Sequence, residues 1–173
     1  MNKENNQRFE PYDDFDINSF KSVALNRIIG NNEIVNILDN NCIDCGGDLL
    51  YVKIYPYLQN PKTIETDDPF ICMRVNHNRN ADGFLEQISV EIDVVCHEKG
   101  MKRKVRSYET GEILSGTVID ILAEEIKKTL SGLDTSWIGE LSCVSNTETV
   151  LYYKYPTRIL TFMAKKESYV HHR

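Results

Sequence analysis

At 173 residues, with 41% hydrophobic and 27% charged side chains, the chain is sized and composed for one globular domain with a genuine core. Its 20 Lys and Arg against 26 Asp and Glu leave a net charge of −6, which argues against broad nonspecific duplex binding but leaves room for a local basic patch. No apolar run approaches the roughly 20 residues that cross a bilayer, and the start MNKENNQRFEPYDDFD lacks the apolar core of a secretory signal. The expectation is a chain made and assembled in the cytoplasm, without a membrane.

Residues 1–18 are polar and acidic without sustained periodicity and read as a flexible N-terminal arm, either without a role or ordering on a neighbour. Asn18 or Ser19 is positioned to cap a helix in which Phe20, Val23, Ala24 and Ile28 share a face and Gly30 is the stop. A second short helix over 33–39 places Ile34, Val35 and Leu38 on one side. Next come Cys42 and Cys45, spaced like half a zinc knuckle and followed by Gly46 and Gly47. A structural zinc site needs four ligands, usually as two spaced pairs, and no second pair exists. The glycines are explained as a turn, so no metal is expected.

Strands follow. Residues 50–54 alternate with Leu50, Val52 and Ile54 on one face; a Pro-bounded loop covers 59–68; 70–75 form a second strand, and 76–83 read as a turn. The third strand is the plainest. Ile88, Val90, Ile92, Val94 and Cys96 alternate with polar positions, the pattern of an antiparallel strand with one wet face. A charged connection over 97–114 leads to an amphipathic helix over 115–131, with Val118, Ile119, Leu122, Ile126 and Leu130 inward, Glu124 and Lys128 paired outside, and Gly132 as its end. Two last strands are expected around 138–144 and 150–163, the second bent near Pro156. The fold class is therefore α+β: a mainly antiparallel sheet, a packed amphipathic helix and a short N-terminal helical pair, in a single domain over 19–165 with a tail at 166–173. Cys72, Cys96 and Cys143 fall in apolar segments and read as reduced, packed thiols rather than a disulfide framework.

Catalytic patterns are few. There is no nucleophile elbow and no glycine-rich phosphate loop. His77 lies in a turn, His97 at a strand end, and His171 and His172 near the end of the sequence. Asp93 and His97 are about 13 Å apart along an extended strand, too far for an acid/base pair. The least implausible enzyme is a Mg²⁺-dependent nuclease using Asp68, Glu91 and Asp93. The lysine that completes such sites is replaced by Val94 and Val95, and a solvated or subunit-facing sheet surface is the alternative. Lys99, Lys102, Arg103, Lys104 and Arg106 form a basic cluster that either engages a partner or phosphate, or is a solvated connection.

The succession NNEIVNILDN, LLYVKIYPYLQNP, PFICMRV, EQISVEIDVVCHE, a charged loop, GTVIDILAEEIKKTL and YYKYPTRILTFMA resembles the tail terminator, or tail completion, proteins of long-tailed bacteriophages and phage-like particles. The resemblance covers about residues 20 to 165. It implies a structural virion protein, without catalysis or cofactor, that caps the finished tail as a hexameric ring and joins it to the head or neck. It also implies tail tube and head-completion (neck) proteins as partners, genomic DNA passing through the lumen, and residence in the virion after assembly in the host cytoplasm. A neck stopper or adaptor is the alternative role. No residue roles carry over, since that family has no catalytic motif.

Overall fold

The computed structural model describes residues 16–39, 46–64, 66–79, 85–135 and 139–167. Cys42 and Cys45, most of the arm, and the two terminal histidines lie outside them.

Helix α1 (Ile17–Ile29) starts ahead of the expected cap. Asp16, rather than Asn18 or Ser19, caps it, its carboxylate accepting from the amides of Asn18 and Ser19. Phe20, Ala24 and Ile28 are buried, but Val23 is 37% exposed, so the inward stripe is narrower than the periodicity implied. Helix α2 (Asn32–Leu38) is capped by Asn31, which accepts from Glu33 and Ile34 amides and donates to Thr129 Oγ1 at 2.8 Å.

The strand expected over 50–54 does not form. Gly46–Leu49 is a 3₁₀ turn, Tyr51 has φ +63°, and Val52 is exposed. The turn instead buries Leu49 and Ile54 and leaves Val52 outside, and Lys53 Nζ secures it on Leu38 O and Asp68. Only β1 (Ile54–Tyr55) is extended, and it runs parallel to its neighbour. Strand β2 (Phe70–Arg79) continues through residues expected to turn, because β3 (Leu85–Val95) pairs with it as far as Arg79↔Glu86. Cross-strand pairing overrides local turn preference there.

Helix α3 (Val118–Leu130) is capped by Thr117, and Gly132 at φ +77° turns the chain away from it. Its outer charges pair as Glu124–Lys127 and Glu125–Lys128, not Glu124–Lys128. A small ribbon, β4 (Asp134–Thr135) with β5 (Gly139–Glu140), follows. The closing segment is a hairpin, β6 (Ser142–Leu151) and β7 (Tyr155–Glu167), rather than one strand bent at Pro156.

Five strands form one sheet in the order β1-β2-β3-β7-β6, antiparallel except for β1. The helices cover one face. Val118, Leu122 and Ile126 of α3 are buried in one cluster with Ile88, Val90, Ile92 and Val94 of β3 and Leu160 and Phe162 of β7. Each such side chain contributes about 1.5–3 kcal/mol through burial. Arg158 Nε anchors α3 to β7 by donating to Asp120 Oδ1 at 2.7 Å. Burial alone would raise the Asp120 carboxyl, but the Thr117 hydroxyl and Arg158 outweigh it and hold it below the ordinary carboxylate value.

Burial pushes the Cys72 thiol up to about 11 and the Cys96 thiol up to about 12. Both should therefore resist iodoacetamide at pH 8 in the folded chain and react once it is unfolded in urea. Mass spectrometry of the two digests reads this directly; rapid native labelling of both would contradict the packing.

Candidate functional site

The 97–114 segment is long but not loose. Glu33, at the start of α2, accepts from the Ser107 hydroxyl at 2.5 Å, the Tyr108 amide at 2.8 Å and the Glu109 amide at 3.2 Å. Burial works against the Glu33 carboxylate, but these donors and the Lys128 charge hold it below its ordinary value. Gly100 passes so close to the backbone that an added Cβ would lie 1.9 Å from Asp67 O. The segment is thus packed against the 66–68 loop near its start and fastened to α2 at 107–109.

Within it the predicted basic residues divide. Arg103 turns inward, donating to Asp68 Oδ1 at 3.2 Å and to Ile37 O. Arg106 is exposed but folds back onto Gly111 O at 2.6 Å. Lys99, Lys102 and Lys104 are exposed, with no salt bridge to a carboxylate among the described residues. The cluster is therefore three free cations on a frame built partly from the other two.

The carboxylates weighed as a nuclease site are not assembled as one. Asp68 pairs with Lys53 at 3.0 Å and with Arg103, while Glu91 and Asp93 both pair with Arg74, at 2.6 and 3.3 Å. Among the described residues no group of three or more acidic, His or Cys side chains is placed to hold a metal ion. His97 instead lies 3.1 Å from Asp67 and edge-on to Tyr155. Asp93 is 4% exposed; burial raises its carboxyl, with Arg74 opposing.

Arg74 and Asp93 sit on the sheet face that the helices leave uncovered. There the Leu58–Pro61 stretch arches over β3 and β7 and leaves a groove of about 470 Å³, walled also by Val150, Tyr152 and Ile159. At this end of the sheet Tyr51, Tyr152 and Tyr153 adopt φ of 63°, 50° and 64°, and Tyr153 is 96% exposed. Lys62 Nζ rests 4.5 Å above the Tyr152 ring. Sequence reasoning singled out the 59–68 loop as a partner contact but missed the rest of this surface, because no Gly, Asn or Pro marks the 152–154 turn and the groove is made by residues distant in sequence.

Among the described residues no helix is long and apolar enough to cross a membrane. A family model described as YomW matches residues 24–163. No curated protein matches the chain. A chain in a solved structure described as the virion of a native gene transfer agent (GTA) particle has a similar fold, with TM-score 0.51 and 12% identity over 86% of this chain and 94% of that one.

Proposed function

The chain belongs to the YomW family, and we propose that it is a structural protein of a phage or phage-like particle that caps the tail as a hexameric ring and joins it to the neck. The observation that carries this reading is the fold shared with a chain of the gene transfer agent virion over nearly the whole of both chains. The sheet and its helical layer form the compact body, while the fastened 97–114 segment and the tyrosine-bearing sheet end supply opposite kinds of contact: cationic and aromatic. Lys99, Lys102 and Lys104 face the neck partner or the DNA path, and an otherwise acidic chain lets DNA slide without sticking. Closed rings arise from heterologous contacts whose rotation closes. This reading gives no catalytic role to Asp68, Glu91 and Asp93, each of which is paired with a cation.

The test is to mix the chain with its tail tubes and image the ends, alongside mass measurement of the free chain. Rings at tube ends support the reading. Mg²⁺-dependent cleavage of duplex or branched DNA, abolished by Glu91→Gln, would replace it with the nuclease.

A further inference from the structure

We infer that, in the free chain, the outer edge of β6 pairs antiparallel with β6 of a second copy, about a two-fold axis at Thr147. The pairing joins two five-stranded sheets edge to edge.

The two edges of the sheet are unlike. β1 is two residues long, and Ile54 O already accepts from the Tyr51 amide at 2.8 Å, so that edge is blunted. β6 is ten residues long, and among the described residues its backbone pairs only with β7. A strand with one side unpaired presents a row of amides and carbonyls to any extended chain. Globular proteins ordinarily guard such an edge with Lys, Pro, a bulge or a very short strand. The β6 sequence SCVSNTETVL has no Lys, Arg, Pro or Gly, and Val144, Thr147, Thr149 and Val150 favour extended backbone. Its one guard is the register shift between Cys143 and Ser145, which leaves 145–151 regular. Val144 and Val150 are 55% and 54% exposed, so the edge is apolar as well as open.

Side-chain chemistry selects a second copy as the occupant. Ser145, Thr147 and Thr149 pair with Thr161, Ile159 and Thr157 on the face the helices leave open, while Asn146 donates to Glu124 of α3 on the other. Strand alternation lets two copies meet with matching faces only if the axis falls on a residue. Centred on Thr147, the axis sets Thr147 opposite itself, Ser145 opposite Thr149, and Asn146 opposite Glu148. Hydroxyls then meet hydroxyls on the open face, and an amide meets a carboxylate on the helical face. An axis on Glu148 would set that carboxylate against its own copy, and one on Asn146 would set Glu148 against Val144 in the bulge. The Thr147 register also carries the exposed Lys154 toward the exposed Glu140 of the second copy. Glu148 brings no unpaired charge, since Arg158 lies 3.5 Å away. A two-fold pair closes on itself, so it belongs to the free chain and opens where ring contacts form.

One strand pair buries less than the roughly 800 Å² per partner of a stable interface, so the dimer forms only at high concentration. Sedimentation of the free chain from about 1 μM to about 1 mM, with no tail tubes present, reads it separately from ring assembly. The expected result is a monomer that becomes a dimer, with amide exchange at 145–149 slowing in step. Thr147→Lys sets two ammonium groups across the axis and should raise the dissociation constant about tenfold at low salt, with added salt recovering part of the loss. Thr147→Val, which keeps the branched side chain, should dimerise at least as well as the natural chain. Exchange in β3 and α3 should stay the same in both variants, which shows that the fold survives. A chain that stays monomeric to about 1 mM would overturn the inference. So would a dimer indifferent to Thr147→Lys, or protection of 145–149 that does not depend on concentration. Protection that appears only with tail tubes would assign the edge to a particle protein and overturn it equally.

Discussion

Phe162→Ala should lower the unfolding free energy by about 3–5 kcal/mol. Phe162 is fully buried on β7, a central strand, opposite Val90 of β3 and Cys143 of β6. Its ring belongs to the same cluster as Leu122 and Ile126 of α3, so truncation opens a cavity where sheet and helix meet. Against a typical total of about 5–15 kcal/mol, the loss leaves the chain close to unfolding at 37 °C. Urea titration followed by circular dichroism measures it, with the midpoint moving and the slope unchanged. Phe162→Leu, which keeps most of the volume, should cost less than about 1.5 kcal/mol. Equal effects of the two substitutions would show that the site is not packed as described.

Glu33→Gln should cost about 2 kcal/mol at neutral pH, since hydrogen bonds to a charged acceptor contribute about 1.5–3 kcal/mol and three donors converge there. The amide retains one acceptor oxygen but loses the charge. The pH dependence has a definite sign. A carboxyl held below its ordinary value of 4.5 in the folded chain stabilises it above that value, and the contribution disappears as pH falls through the folded value. The gap between the natural chain and Glu33→Gln should therefore be full at pH 7 and close under acid. Hydrogen exchange over 107–111 should rise in the variant while α3 stays protected. A gap that is the same at pH 7 and in acid would show that the charge is not what fastens the segment.

The sequence was most legible where one periodicity had a single physical solution. Strand β3 shows it best: its alternation leaves no other way to bury Ile88, Val90, Ile92 and Val94, and the structure buries all four. α3 is similar in its buried stripe and in the Gly132 end, although it begins at Val118 behind Thr117 rather than at 115. It was least legible where a second conformation buries a different subset of the same apolar stretch. Leu50, Val52 and Ile54 fit a strand, yet the turn through Tyr51 buries Ile54 as well and lets Lys53 reach Leu38 and Asp68, a gain that only tertiary structure reveals. The β6–β7 turn was hidden because tyrosines occupy positions where glycine or asparagine ordinarily announces a left-handed backbone. The basic cluster was visible as charge, but its division into the frame residues Arg103 and Arg106 and the free Lys99, Lys102 and Lys104 depends on partners 35 or more residues away for Arg103, and on a local loop for Arg106. Glu33 carried no signal at all, since a carboxylate in the first turn of a helix is ordinary.

The most direct measurement of the ring reading is the symmetry and composition of the cap on a completed tail tube, by electron microscopy of tubes incubated with this chain. The account predicts a closed ring with sixfold symmetry at one end of the tube, its density fitted by the five-stranded sheet and the three helices. Tubes that remain bare, with the chain persisting as a closed dimer both alone and in the mixture, would contradict it.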